Sequence, residues 1–287
     1  MQTLMANLNR EEVDTFGLVL QASGIAYQSV YGADGWDLRV DEEMLMPAAD
    51  LIRIYLQENK SKFSTEREPA VAFGKTFAGL WGALVIAAVH VAVFSNHDAA
   101  SFVQAYGSSA QQILNGEWYR CITSLLLHAD AVHLVGNIVG IGLFGSAVCS
   151  VMGWGMGWGL MLLSGALGNW INAWFYQTGH VSIGASTAVF GAVGLLSAFQ
   201  FITKIRVAGE RHRAFLPLAG GLALLALLGA AVRTDVMAHL FGFFSGLVMG
   251  GIYRLAVKRP ARLPMQLAIM AMTLAALVGA WLAPLGQ

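Results

Sequence analysis

The chain has 287 residues, 56% hydrophobic and 12% charged, with a formal net charge of zero and a mean hydropathy of +0.60. That is too apolar and too poorly charged for an ordinary soluble domain, and a zero net charge supplies no bulk field to attract nucleic acid. Two isolated cysteines, Cys121 and Cys149, form no CxxC or zinc-like spacing.

Up to about residue 75 the sequence is polar and acidic, holding 12 of the 17 Asp and Glu side chains. It lacks a basic stretch followed by an apolar core, so no cleavable signal peptide is expected. A helix is predicted from about Glu11 to Ala22, with Gly24 as its stop. Ile25–Tyr31 and Trp36–Val40 read as strands around a Gly32-Ala33-Asp34-Gly35 turn. Asp41 is placed to cap a second helix running to about Asn59. No site motif stands out, which fits a small α+β accessory domain over 1–68.

The rest of the chain gives seven candidate membrane spans: 76–95, 124–149, 153–176, 185–203, 214–232, 236–256 and 264–284. A helix needs about twenty apolar residues to cross a bilayer. The 33 glycines suit close helix packing in lipid. Lys60, Lys62, Arg67 and Lys75 precede span one. Lys204, Arg206, Arg211 and Arg213 separate spans four and five, and Arg254, Lys258, Arg259 and Arg262 separate spans six and seven. The loops on the other side carry only Arg120 and Arg233. The positive-inside rule then predicts a cytoplasmic N-terminus and, with an odd span count, a C-terminus outside. A plasma (inner) membrane location is expected.

Polar residues interrupt three of these spans at a similar depth. Side chains of this kind are costly in lipid unless they face protein or a wet cavity. His133 and Asn137 are four apart in span two and so share a helix face. Both can donate hydrogen bonds, which suits a developing oxyanion and equally a polar pair that bridges helices. Ser186 sits among small residues in Gly184-Ala185-Ser186-Thr187-Ala188-Val189-Phe190-Gly191 at the start of span four. A free serine hydroxyl is a poor nucleophile and needs a base. His239 in span six offers one, followed by Gly242, Gly246 and Gly250, a ladder that lets another helix come close. If that helix is span four, His239 reaches Ser186. Asp235, one turn before His239, reads as a helix cap more readily than as a third catalytic member. Phe190 is placed either to pack on the imidazole or simply to fill the core.

These segments together resemble the rhomboid family of intramembrane serine proteases. The matching elements are Gly184-Ala185-Ser186 with Phe190-Gly191, Ala238-His239 with Gly242 and Gly246, His128 with His133-Leu134-Val135-Gly136-Asn137, and Gly116-Glu117-Trp118-Tyr119-Arg120 with Thr123. The resemblance covers about 76–284. It implies an all-α polytopic fold, with a six-helix core over 69–262 and one added C-terminal helix over 263–287. It also implies that Ser186 is the nucleophile and His239 the base of a dyad, with His133 and Asn137 supporting the oxyanion. Tyr119 and Arg120 would brace the loop, and His128 would be structural. The substrates implied are transmembrane segments of other proteins, cut near small or helix-destabilising residues, with no cofactor and no metal. Two positions depart from the family pattern. Thr187 stands where glycine is usual, an expected restriction on substrates or rate. Cys149 stands near where many members carry a glutamate, so a hydrogen-bonded brace is expected to be missing. Relatives that bind membrane clients without cutting them typically lack the serine or the base, and both are present here. No paired broken helices suggest a transporter. No HExxH suggests a metalloprotease. Nothing in the chain fixes an oligomeric state.

Overall fold

The computed structural model describes residues 1–32, 34–59, 76–95, 99–206, 211–228, 234–257 and 261–286. The chain divides into two compact units, Met1–Pro69 and Ala70–Gln287.

The first unit contains β1 (Gln2–Leu8), α1 (Arg10–Ala22), β2 (Tyr27–Tyr31), β3 (Trp36–Val40) and α2 (Leu45–Glu58). The strands form an antiparallel sheet in the order β1-β3-β2. Asn9 starts α1 with a reciprocal cap: its side chain accepts from Glu12 N–H, and the Glu12 carboxylate accepts from Asn9 N–H, both at 2.9 Å. Val13, Phe16 and Leu20 recur at helical spacing and meet Leu38 and Val40 of the central strand and Ala48 and Ile52 of α2. The structure differs from the sequence reading at three places. Strand β1 was not anticipated, because two register shifts break its two-residue alternation. The second strand begins at Tyr27, not Ile25. Asp41 makes no side-chain capping bond; it precedes a short 3₁₀ turn, Glu42–Met44, that leads into α2. Ala33 of the predicted turn lies outside the described residues, but Gly32 N–H donates to Gly35 O at 2.8 Å across it.

The second unit is helical. Its long elements are α3 (Ala78–Ser95), α7 (Ala131–Met152), α8 (Trp154–Tyr176), α9 (Ser186–Ile205), α10 (Leu216–Leu228), α11 (Val236–Ala256) and α12 (Leu263–Leu282). Between α3 and α7 run α4 (Ala99–Tyr106), β4 (Ser108–Ser109), α5 (Ala110–Leu114) and α6 (Arg120–Thr123); β5 (Val181–Ser182) precedes α9. Helices α7, α9, α11 and α12 are long and apolar enough to cross a membrane, and Ala78–Val93 of α3 is a shorter apolar stretch. Helix α8 has 23 residues and carries Ser164, Asn169 and Asn172 on its buried face. Residues 229–232 of the fifth predicted span lie outside the described residues, as do Lys60, Lys62, Arg67, Lys75, Arg233, Lys258 and Arg259.

Span two starts later than its apolar run suggests. Ser124–Leu126 is a 3₁₀ turn, Leu127 is extended, and Asp130 opens α7 by accepting from His133 N–H at 2.8 Å. Within α7, Ile141–Gly145 widens into a π-helical turn.

Helices α9 and α11 pack backbone to backbone. A β-carbon at Gly242 would strike Thr187 O, one at Gly246 would strike Gly191 O, and one at Gly250 would strike Leu195 O. From the other side, one at Gly194 would strike Phe243 O. Such an approach needs small residues on both helices. Helix α12 is tied to the bundle near both ends. The Gln266 side chain donates to Met152 O at 3.1 Å and accepts from Met156 N–H at 2.9 Å, closing the turn between α7 and α8. Trp281 stacks on Tyr106 of α4 with ring centroids 4.5 Å apart.

Adding bulk to the ladder must separate the two helices or strain them, at a cost of about 1–3 kcal/mol. Gly246→Val is therefore expected to lower the thermal midpoint in detergent by several degrees. Gly279→Ala on α12, where an added β-carbon meets nothing within 4 Å, is expected to leave it unchanged. Equal midpoints for the two variants would refute the close-packing account.

Candidate active site

Three helix starts converge on Ser186. Ser186 is the first residue of α9, His239 lies in the first turn of α11, and His133 in the first turn of α7. Ser186 Oγ and His239 Nε2 are 2.7 Å apart, within hydrogen-bond distance. Ser186 is partly exposed, whereas His239 is buried at 4% relative exposure. The Phe190 ring lies on the imidazole with centroids 4.7 Å apart and a 34° tilt, which limits how far the ring can turn. A neutral imidazole at this distance can take the serine proton.

The segment leading to Ser186 is shaped by Gly184. Its φ is +127°, and a β-carbon there would lie 2.6 Å from His133 Nε2 and 3.6 Å from Ser186 Oγ. The His133 ring therefore rests on bare backbone beside the serine, and any side chain at 184 would be strained by this φ and would displace the ring. Gly184 N–H donates to Ser124 O at 2.9 Å, and Ala185 N–H to His128 Nε2 at a long 3.5 Å. His128 thus touches the backbone of the serine loop and not the serine itself. Asn137 is buried one turn below His133, and its Nδ2 donates to His133 O at 2.9 Å. Among the described hydrogen bonds none joins Asn137 to Ser186. Its amide has two N–H groups, so one donor remains for an incoming oxygen.

The electrostatics of the three helix starts differ. Asp130 caps α7 and Asp235 caps α11. No side chain caps α9. The first N–H groups of a helix have no intrahelical acceptor, and the aligned peptide dipoles favour negative charge there. The one open start of the three is therefore the one carrying Ser186, suited to hold an oxyanion.

Asp235 has further partners that the sequence reading missed. Its Oδ2 is 2.7 Å from Asn172 Nδ2 and 2.6 Å from His180 Nε2. Burial pushes its carboxyl up, and the bonds from Ala238 N–H, His180 and Asn172 with the His180 charge outweigh that, holding it below its ordinary value. Asp235 does not reach the His239 ring through any described bond. The only cue in the sequence was a histidine in a polar loop, with no spacing rule to pair it.

The loop before α7 is braced by Arg120, which is buried at 6% relative exposure. Its guanidinium donates to Glu117 at 2.6 Å, Gln104 O at 2.8 Å and Gly107 O at 3.1 Å. Tyr119 Oη donates to Glu117 at 2.7 Å. An apolar cavity of about 200 Å³ is lined by residues including Trp81, Ile86, Leu125, Trp158 and Ala185. It offers a peptide bond almost nothing to bond to. Among the described residues, no three His, Cys, Asp or Glu side chains gather as a metal site.

The Rhomboid domain model matches residues 115–256. The chain is 31% identical over 138 residues to the putative rhomboid protease YdcA of Bacillus subtilis (strain 168), covering 48% of this chain and 68% of that protein. It is 30% identical over 145 residues to Rhomboid-like protease 3 of Toxoplasma gondii, covering 50% of this chain and 55% of the relative. It is 28% identical over 137 residues to RHOMBOID-like protein 1 of Arabidopsis thaliana, covering 48% of this chain and 35% of the relative. The chain belongs to the rhomboid family. It is an integral membrane protein, with the six-helix core and added C-terminal helix of the fold expected from sequence.

The Glu117 brace carries a pH dependence. Burial pushes the Glu117 carboxyl up, but the hydrogen bonds from Tyr119 and Arg120 and the Arg120 charge leave it below its ordinary value. A carboxyl depressed in the folded state adds stability above the unfolded carboxylate range, near pH 4, and loses it as pH falls through the lower folded value. The wild-type thermal midpoint should thus drop on acidification below about pH 4, and Glu117→Gln should flatten that drop. Parallel pH curves for the two proteins would show that the brace contributes no such term.

Proposed function

We propose that this chain is an intramembrane serine endopeptidase, hydrolysing peptide bonds in or near transmembrane segments of other membrane proteins. The observation that carries the proposal is the 2.7 Å contact of Ser186 with His239 at an uncapped helix start. His239 takes the hydroxyl proton as Ser186 Oγ attacks the scissile carbonyl. The oxyanion is received by the first N–H groups of α9, with His133 and the second Asn137 N–H as side-chain donors. His239 then returns the proton to the leaving amine. Water, activated by the same histidine, releases the acyl group from Ser186.

The substrate must present an unwound backbone, since the carbonyls of an intact helix are already bonded. Cleavage near glycine, proline or small polar residues follows. The bilayer is the working environment, and no cofactor enters the scheme. The partners are transmembrane proteins. In the proposed organisation, 1–68 is an accessory domain, 69–262 the catalytic core and 263–287 the added helix. Arg206, Arg211, Arg213, Arg254 and Arg262 lie at the helix ends or turns remote in sequence from Ser186 and its neighbouring starts. That asymmetry supports a cytoplasmic N-terminus in the plasma (inner) membrane, a C-terminus outside and a site open to the outer face.

Ser186→Ala and His239→Ala should each reduce cleavage of a model transmembrane substrate by at least about 10⁴-fold, with fold and expression retained. Substantial cleavage by either purified variant would end the dyad assignment. His133→Ala and Asn137→Ala should each lower kcat by roughly 10²–10³-fold with little change in KM, because their donors act on charge that exists only in the transition state. A rise in KM at unchanged kcat would instead make them substrate-binding residues.

A further inference from the structure

The Asp235 carboxylate joins three parts of the fold. Oδ1 accepts from Ala238 N–H at 3.0 Å and fixes the first turn of α11, which carries His239. Oδ2 meets Asn172 of α8 at 2.7 Å and His180 at 2.6 Å. His180 lies in the irregular segment that leads from α8 to Ser186. Its ring stacks on Tyr176 with centroids 3.8 Å apart and an interplanar angle of 15°. Its carbonyl accepts from Ala110 N–H at 3.0 Å, and Val181 beside it pairs with Ser109 of β4.

This segment has little regular structure to hold it. Gln177, Gly179 and Gly184 all have positive φ, and β5 is two residues long. A backbone of this kind keeps its course only where it is pinned. The bonds of Gly184 and Ala185 pin its Ser186 end, and His180 pins the middle. His239, for its part, lies in a first helical turn, where fraying begins. A contact between two side chains on such elements must stay within about 0.5 Å to remain productive.

We propose that the His180–Asp235 pair is a latch that positions the two halves of the dyad, tying the segment that delivers Ser186 to the helix start that delivers His239. This inference rests on the dyad reading above and deepens it. Neither residue touches the reacting atoms, so both are positioning residues. Asp235 is faced by His180 and Asn172, and His180 by Asp235 and the Tyr176 ring. A part-buried, hydrogen-bonded carboxylate–imidazole pair holds more strongly than a neutral contact, and more so when the imidazole is charged.

The test compares His180→Leu, which removes the donor, with His180→Gln, whose amide can donate from nearly the same place. Full-length protein is assayed on a model transmembrane substrate and for labelling of Ser186 by a fluorophosphonate. His180→Leu is expected to lower kcat and the labelling rate together by about tenfold, with KM within about twofold. His180→Gln should recover most of that loss. Asp235→Asn should match His180→Leu, and the double variant should be no more than about twofold worse than either single one, as expected for residues acting as a unit. If His180→Leu does not fold, His180→Asn, whose amide is too short to reach Asp235, takes its place. Labelling and kcat near wild type, a loss confined to KM, or no recovery with glutamine would each overturn the latch. Hydrogen exchange separates this failure from failure of the dyad reading. In the donor-less variant, amides of 181–186 and of 236–240 should exchange faster together whether or not the wild type is labelled. Unchanged exchange rejects the latch, while a wild type that is neither labelled at Ser186 nor active rejects the dyad.

Discussion

Everything at the site depends on how closely two helix backbones approach. Side chains on packed helices ordinarily keep the axes about 8–10 Å apart. Along α9 and α11 that spacing collapses, because Gly242, Gly246 and Gly250 face carbonyl oxygens of α9 and Gly194 faces one of α11. With larger residues the helix starts would stand further apart, and a serine side chain, one carbon long, could not reach the imidazole. The short reach of serine and the glycine ladder are therefore two sides of one constraint. Phe190 and the buried Phe243 pack with Val193 and Leu225 in one apolar cluster beside the seam.

The second organising feature is the treatment of helix ends. An isolated helix start prefers an acidic or hydroxyl cap, since its N–H groups otherwise go unmet. Asp130 and Asp235 supply this to α7 and α11. A carboxylate in the same place on α9 would occupy the N–H groups and repel an oxyanion. The Ala185 that occupies the cap position leaves them available. The cost of an unmet helix start, about 1 kcal/mol for a missing cap, is modest beside the 3–4 kcal/mol that one well-placed oxyanion donor contributes in the transition state.

Much of this was legible before any coordinates. Apolar length marked the membrane helices, the fourfold glycine spacing marked a close-packing face, and Ser186 and His239 stood out as polar groups in apolar runs. Four things were not legible. Strand β1 was hidden because its bulges spoil alternation. The start of α7 was hidden because Ser124–Leu127 is as apolar as a helix yet turns away from one, and only the capping bond of Asp130 shows where the helix begins. The partnership of Asp235 with His180 and Asn172 joins residues 55 and 63 positions apart, which no local pattern encodes. The same holds for Gln266, an unremarked amide in an apolar span, whose bonds reach residues more than 100 positions away. Periodicity reads what neighbours in sequence do together; it does not reach pairs brought together by the completed bundle.

Thr187 shows how a departure from a family pattern can be absorbed. From sequence alone, a β-branched residue beside the nucleophile would be expected to narrow the space for substrate. In the structure Thr187 is buried at 2% relative exposure and turns away from the open side of Ser186. Its methyl carbon lies 2.7 Å from the place a β-carbon would take at Gly168 and 3.0 Å from that at Gly242. The extra volume is thus housed where α8 and α11 both present bare backbone. A close-packed interior tolerates a larger residue when its facing positions are correspondingly small. The volume of Thr187 is therefore taken up in the packing of α8, α9 and α11, the same seam that sets the distance between hydroxyl and imidazole.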